Sequence, residues 1–338
     1  MVTVIGVVDV AVPRWGLTVP LTGLALPDHA ELVRSLPEWG FTDLWSAEVA
    51  GTDAFTPLAL ASTWTDQLRL GTAIASVYTR GPALLAMSAA ALAEAAPGRF
   101  VLGLGAASPA VVESWNGMAF DRPYQHTRDV LAVVRAALAG DRVDYTGPTL
   151  RVDGFRLERP PIPAPPILLG ALRPQMLRLA GRAGDGAILN WLSAADVDRC
   201  VAEIGHPGAE VVARIFVCPT ADADHARALG RRLIAAYLTV PAYAAFHAWL
   251  GRDLSRLHQA WAAGDRRAAM ASIDDDVVDA LIVHGPPAYC RARVAEYVTH
   301  GVTTPVLALL PTPESGPDVI AGLLAELGPD GGIADAPA

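Results

Sequence analysis

Two acidic residues follow predicted β-strands early in the chain, and both could exchange a proton with a bound substrate. Asp9 ends the apolar run at residues 2–8, and Glu48 follows the run Asp43–Ser46. In a barrel of parallel strands, residues at the C-terminal ends of the strands build the active site. A carboxyl group there can act as a general acid or base, or it can orient a loop by hydrogen bonding. We predict Glu48 and Asp9 as catalytic residues and keep the loop-orienting role as the alternative.

Two loops rich in small residues also follow predicted strands. One is GLGAASP at residues 103–109, and the other is LGALRP at residues 169–174. Small side chains let an anionic group approach the amides of a helix N-terminus, although one glycine alone often only completes a tight turn. Two such loops on neighbouring strands favour a cofactor that carries a phosphate. The first loop is no dinucleotide-binding motif, since its spacing is GxGxxS and the acid at the right distance, Asp121, follows no strand.

Aromatic residues accompany these loops and could wall an apolar substrate pocket. They lie in or near predicted loops, and they are Trp15, Trp115, Tyr124 and Trp191. Packing within the fold is the alternative role for each of them. We expect His126, on a predicted helix, and Asp185 to be structural.

Short apolar runs alternate with helical patterns along the chain, which is typical of parallel βα units. The predicted strands one to eight cover residues 2–8, 43–46, 68–76, 100–105, 166–169, 186–189, 211–217 and 304–310. Eight strands followed by helices predict a (β/α)₈ TIM barrel, interrupted by a small hairpin within residues 143–165. We expect residues 1–327 to form this single domain and residues 328–338 to be a flexible tail.

A long helical excursion, residues 222–282, separates predicted strands seven and eight. It exceeds an ordinary connection, and it must emerge on the face that carries the active site because it follows a strand's C-terminal end. Its aromatic residues recur at helical spacing, and they are Tyr237, Tyr243, Phe246 and Trp249. They either cover an apolar substrate or only pack the excursion onto the barrel.

Composition narrows the class of protein. The apolar fraction is 52% and the charged fraction 18%, as in a globular enzyme, and the net charge of -9 argues against a broad nucleic-acid-binding face. Lysine is absent, which excludes a Schiff-base lysine. The three cysteines are widely spaced and predict neither a disulfide framework nor a metal site. With no signal peptide or membrane span predicted, we expect a cytoplasmic homodimer that acts on a small molecule.

Three stretches resemble the luciferase-like F420-dependent oxidoreductases. They are LGTAIASVYTRGP at residues 70–82, PGRFVLGLG at 97–105 and PILLGAL at 166–172, and WNG at 115–117 and LAGRAGDG at 179–186 accompany them. The matches keep their order from about residue 40 to residue 200. The remainder of the chain fits this family in architecture only.

The resemblance implies a barrel of the bacterial luciferase type with the deazaflavin coenzyme F420 in a cleft at the strand C-termini. It implies a cis peptide bond after strand three, which falls here at Ala73–Ile74. The implied cofactor-binding positions, including those in the two small-residue loops, are Ala73, Ile74, Ala75, Gly105, Ala106, Ala107, Ser108, Gly170, Ala171, Leu172 and Asn190.

The sequence departs from the sugar-phosphate dehydrogenases of this family at three positions. Their histidine after strand two, glutamate after strand four and phosphate-binding lysine after strand six match Val49, Ser108 and Ser193. A sugar-phosphate substrate is therefore not expected. We predict hydride transfer between F420 and a small apolar organic substrate, with an FMN-dependent monooxygenase and a non-catalytic flavin- or deazaflavin-binding protein as alternatives.

Overall fold

Eight parallel strands close into a barrel in the computed structural model, which describes residues 14–312 and 317–330. The strands of the described residues are β1 (Gly16–Val19), β2 (Asp43–Ser46), β3 (Arg69–Thr72), β4 (Ala75–Ser76), β5 (Phe100–Gly105), β6 (Val143–Thr146), β7 (Arg151–Phe155), β8 (Ile167–Gly170), β9 (Gly186–Asn190), β10 (Glu210–Cys218), β11 (Ile282–His284) and β12 (Thr304–Leu309). Barrel order is β1, β2, β3, β5, β8, β9, β10 and β12, and β12 returns to β1. The predicted TIM barrel is confirmed.

Helices surround the barrel and connect its strands. They are α1 (His29–Ser35), α2 (Thr56–Trp64), α3 (Pro82–Ala95), α4 (Pro123–Leu138), α5 (Pro174–Ala183), α6 (Ala194–Ile204), α7 (Ala223–Tyr237), α8 (Pro241–Leu250), α9 (Ser255–Ala262), α10 (Arg266–Ala271), α11 (Asp275–Leu281), α12 (Pro287–Thr299) and α13 (Pro317–Leu327). The predicted hairpin is β6 and β7, which pair antiparallel.

The first barrel strand is Gly16–Val19, so our placement of strand one at residues 2–8 is wrong. Gly16–Val19 pairs with β2 along its whole length and with β12 on its other side. Both segments are apolar and β-branched, and propensity alone does not choose between them. The run at residues 2–8 and the predicted catalytic Asp9 lie outside the described residues. Trp15 precedes β1 and is buried at the N-terminal end of the barrel, so it does not wall the pocket predicted at the other end.

The centre of the barrel is filled by Trp45, because two of the positions that face it, Gly16 and Gly71, are glycine. A Cβ atom at Gly71 would lie 2.4 Å from the Trp45 ring, and one at Gly16 would lie 3.0 Å from it. Around this ring pack apolar residues from the other strands: Val101, Leu168, Ile188, Val212 and Val306. The interior is therefore a packed core rather than a pore.

Paired charges occupy the N-terminal end of the barrel. Arg69 Nε donates to Asp43 Oδ1 at 2.5 Å, and its two terminal nitrogens donate to the Glu210 carboxylate at 2.9 and 2.5 Å. Thr304 Oγ1 also donates to Glu210 at 2.9 Å. Burial alone would raise the pKa of Glu210, but the hydrogen bond and charge of Arg69 overcome this and hold that pKa below its ordinary value. The end opposite to the predicted site thus carries a stabilising network.

The predicted excursion is confirmed as the five helices α7 to α11, after which β11 returns to pair with the end of β10. Among the described residues no single helix is long and apolar enough to span a membrane. The pair α7 and α8 reaches that length and composition together, but the two helices meet at an angle of 111°. Residues 328–330, assigned from sequence to the tail, lie beside Trp39 and Gly40, and residues 331–338 lie outside the description.

Candidate active site

A bulge between β3 and β4 forms one wall of the barrel mouth, by which we mean the C-terminal ends of the barrel strands and the loops that follow them. The peptide bond Ala73–Ile74 is cis, as predicted. Ala73 N donates to Ser46 O at 2.5 Å, and the Ile74 carbonyl accepts from Glu48 N at 3.3 Å. The bulge is therefore fastened to the end of β2.

The side chain of Ile74 lies against the ends of two further strands. A Cβ atom at Gly105 would lie 2.9 Å from Ile74 Cγ1, and one at Gly170 would lie 3.2 Å from Ile74 Cγ2. Glycine at both positions leaves the space that Ile74 occupies. The fold thus brings together Ala73, Ile74, Gly105 and Gly170, which we predicted as cofactor-binding residues from distant parts of the sequence.

The two small-residue loops lead into different structures. After β5, Ala107 takes a left-handed conformation with φ 59°, and the chain enters a short π-type turn at Ala110–Trp115 rather than a regular helix. After β8, Ala171 N donates to Ile188 O at 3.1 Å, and Pro174 opens α5 directly. Of the two loops, the second has the strand-to-helix geometry that suits an anionic group.

Glu48 fastens the bulge with its side chain as well as its backbone. Its Oε2 accepts from Ser76 N at 3.0 Å, and its Oε1 lies 2.6 Å from an Arg80 nitrogen. Arg80 also contacts Asp53 Oδ1 at 3.3 Å, and its guanidinium lies 4.9 Å from the centre of the Phe55 ring. Both carboxylate oxygens of Glu48 are therefore engaged, Oε2 by β4 of the bulge and Oε1 by Arg80 and by Ala54 N at 3.4 Å.

Asn190 and the excursion form the opposite wall of the mouth. Asn190 Nδ2 donates to Tyr243 Oη at 2.9 Å, while Asn190 Oδ1 is buried and has no hydrogen-bond partner among the described residues. Trp191, which follows Asn190, is fully buried and packs 4.1 Å from the Phe216 ring and 5.0 Å from the Tyr237 ring. The excursion therefore reaches the predicted cofactor residue Asn190 through Tyr243.

The four aromatic residues of the excursion lie in two places, which correspond to the two predicted roles of covering the substrate and packing the excursion onto the barrel. Tyr237 and Tyr243 lie at the mouth, with their ring centres 6.1 Å apart. Phe246 is fully buried in the main core and stacks on Trp249, whose ring is covered by Arg199 of α6 at 4.4 Å. Phe246 and Trp249 thus anchor the excursion to the barrel.

Other residues singled out from the sequence have structural contacts. His126 lies 3.1 Å from Val77 O and 3.2 Å from Thr149 Oγ1, and it stacks on Tyr78. Asp185 accepts from Ile167 N at 2.7 Å. Trp115, on the π-type turn, is 55% exposed. Within residues 14–312 and 317–330, no cluster of His, Cys, Asp and Glu could hold a metal ion.

Arg214 is the residue of the mouth that sequence reasoning missed. It lies within β10, directly across from Asn190, and strand alternation places it on the same inward face as the core residue Val212. Its guanidinium lies 4.6 Å from the centre of the Phe216 ring. The sequence feature that could have indicated this residue is the presence of an arginine inside the otherwise apolar run VVARIFVC.

The chain matches the family model described as luciferase-like monooxygenase over residues 10–304. The protein belongs to this family. The barrel, the cis bond and the mouth described above agree with the resemblance found in the sequence. Membership in a family of oxidoreductases supports an enzyme rather than a binding module.

Two relatives of this luciferase-like protein are named for tetrahydromethanopterin or F420 chemistry. A 5,10-methylenetetrahydromethanopterin reductase of Methanolobus tindarius is 28% identical over 83% of this chain and 88% of its own. A Mycobacterium tuberculosis protein named as a coenzyme F420-dependent oxidoreductase is 31% identical over 87% of this chain and 94% of its own. The solved F420-dependent tetrahydromethanopterin reductase of Methanopyrus kandleri superposes with a TM-score of 0.76 at 22% identity, covering 93% and 97% of the two chains, which shows the shared fold.

Proposed function

We propose that this protein is an F420-dependent oxidoreductase that transfers a hydride between F420 and a small organic substrate. The observation that carries the proposal is the convergence of the Ala73–Ile74 bulge with Gly105 and Gly170 at the barrel mouth. The family membership and the F420-dependent relative support it. When bound, F420 would supply the hydride acceptor or donor at carbon five of its deazaflavin ring.

The residues at the mouth fit such a group. Ala73, Ile74 and Ala75 would back the ring, and the unpaired Asn190 Oδ1 offers a hydrogen-bond acceptor to its polar edge. Phosphate-side contacts would come from the two small-residue loops, residues 105–108 and 170–172, with the N-terminus of α5 beside the second.

The excursion would limit the access of water to the site. Tyr243 contacts Asn190 and Tyr237 lies beside Tyr243, so both rings would stand between solvent and the reacting atoms. Burial raises the pKa of Tyr243 to about 12, against the opposing effect of its hydrogen bond to Asn190. Its phenol therefore stays neutral at physiological pH and can donate a hydrogen bond.

A direct titration tests the cofactor. We expect the purified apoprotein to bind F420 at least about tenfold more tightly than FMN, a difference of about 1.4 kcal/mol. Fluorescence quenching with each cofactor, and NADPH as a third arm, gives the dissociation constants. Equal or reversed affinities would contradict the F420 assignment and favour the FMN monooxygenase. Absence of reduced-F420 oxidation with a panel of enones and imines would favour the non-catalytic alternative.

For Glu48 we propose a positioning role rather than the proton transfer predicted from sequence, because one of its oxygens holds β4 and the other is paired with Arg80. Glu48→Gln and Arg80→Met are then expected to weaken F420 binding by a similar factor, about five- to tenfold or about 1 kcal/mol. The double variant should lose little more, since the two side chains act as one unit. Glu94→Gln, at an exposed ion pair, is the matched control.

The same variants distinguish the two roles of Glu48. A proton carrier would lose turnover by about 10²-fold or more in Glu48→Gln with F420 affinity unchanged. Arg80→Met would not reproduce that pattern. Such a result would restore Glu48 as the catalytic residue.

A further inference from the structure

Arg214 carries a positive charge into the barrel mouth, and no described residue forms an ion pair with it. None of the ion pairs or hydrogen bonds found among residues 14–312 and 317–330 involves its guanidinium, and its Nε is buried without an acceptor. Burial lowers the pKa of Arg214, and the nearby Tyr237 and Tyr243 oppose this only in part. A buried charge is costly unless it is paired. An anion bound in the mouth would neutralise this charge.

Two other arginines near the mouth are already neutralised. Arg80 pairs with Glu48 at 2.6 Å, and Arg252, from the excursion, pairs with Asp196 at 2.6 Å. Arg173, in the loop after β8, has no ion pair among the described residues, but its side chain is exposed to water. Arg214 differs from Arg173 because its Nε is buried. A single guanidinium matches a group with one negative charge better than a phosphate monoester, which carries nearly two.

A second donor lies beside the guanidinium. Tyr243 Oη accepts a hydrogen bond from Asn190 Nδ2, and no described residue accepts the hydrogen of its own hydroxyl. Asn190 lies directly across the sheet from Arg214. Around these groups stand the rings of Phe216 and Tyr237. A ligand with a planar anionic group and an apolar part could accept hydrogen bonds from Arg214 and Tyr243 through its anionic group. Its apolar part could pack against the two aromatic rings.

We propose that Arg214, assisted by Tyr243, binds a carboxylate of the substrate. That the bound carboxylate belongs to a substrate rests on the proposed function, while the carboxylate site itself rests on the residues of the mouth. The arginine provides two parallel N–H donors to the two carboxylate oxygens, and the neutral Tyr243 hydroxyl provides a third. The expected substrate is therefore a small organic molecule with an apolar body and one carboxylate group.

Isothermal titration with benzoate and benzamide tests the site, because the two probes share their shape and differ in charge. We expect benzoate to bind at least about tenfold more tightly than benzamide. Arg214→Met should bring this ratio close to one, Arg214→Lys should keep part of it, and Tyr243→Phe should lower it by a few-fold. Arg267→Met, which removes an exposed charge from α10, should leave it unchanged. Each titration is run on apoprotein and on F420-loaded protein at fixed ionic strength.

Four results would overturn the proposal. The first is equal affinity for benzoate and benzamide in both wild-type forms, and the second is a benzoate preference that survives in an Arg214→Met variant shown to be folded by circular dichroism. The third is tighter binding of inorganic phosphate than of benzoate, and the fourth is loss of F420 binding in Arg214→Met without any benzoate preference in the wild type. A benzoate preference that depends on Arg214 in a protein that fails to bind F420 would support the carboxylate site and refute the proposed function. The two proposals thus fail separately.

Discussion

Replacing Gly105 with valine is expected to weaken F420 binding on the order of 100-fold, or about 2.7 kcal/mol. A Cβ atom there would lie 2.9 Å from Ile74 Cγ1, so a branched side chain must displace Ile74 from its place at the end of β5. Ile74 belongs to the bulge that would back the proposed ring, so its displacement is expected to disturb that surface. Fluorescence titration of the variant with F420 measures the loss.

Two companion variants make that result interpretable. Gly105→Ala should lose less affinity, because alanine adds only the Cβ atom whereas valine adds two further methyl groups beside Ile74. Gly51→Val, on the β2 side, should bind F420 like the wild type, because nothing lies within 4 Å of a Cβ there. Wild-type affinity in Gly105→Val would show that the ring does not lie against the bulge.

Arg69→Met is expected to destabilise the folded protein by about 3 kcal/mol at neutral pH, the lower end of the effect of breaking a buried pair. The variant leaves the Asp43 and Glu210 carboxylates without the side chain that bridges them. Thr42 and Arg14 still contact Asp43, and Thr304 still contacts Glu210, which limits the loss. Urea unfolding measures the free energy.

The pH dependence of the same variant gives a second check. Glu210 has a folded-state pKa below its ordinary value of 4.5, so its contribution to stability is present above that value and is lost as pH falls through the folded pKa. The stability gap between wild type and Arg69→Met should therefore shrink as the solution is acidified below about pH 4.5. Arg159→Met, at the exposed pair with Glu94, should change stability by less than about 1 kcal/mol. Comparable losses in the two variants would contradict the role assigned to Arg69.

The sequence predicted the architecture well because apolar runs and helix signals alternate clearly. Strand two was placed at its observed bounds, Asp43–Ser46, and the excursion was placed between the last two barrel strands. Strand one was misplaced because residues 2–8 and Gly16–Val19 are both apolar and β-branched, and only pairing to β2 and β12 distinguishes them. Local β-propensity does not determine which segments pair with each other in a closed sheet.

The candidate site was predicted in part. The cis bond and its glycine neighbours followed from the resemblance, whose matches lie on consecutive strands. Arg214 was missed because candidates were sought in loops after strand ends, whereas this arginine lies inside a strand on its inward face. The contact between Asn190 and Tyr243 spans 53 residues of chain and depends on how α8 docks. Neither feature has a local sequence signature.

The construction of α8 separates attachment from the proposed recognition of a carboxylate. Its first turn carries Tyr243, which reaches the mouth, while its later turns carry the anchors Phe246 and Trp249. Exchange of the residue at position 243 is therefore expected to alter ligand binding without disturbing how the excursion is held. A scaffold built in this way can diversify its ligand range by single substitutions at little thermodynamic cost, while the proposed cofactor position on the barrel beneath is kept.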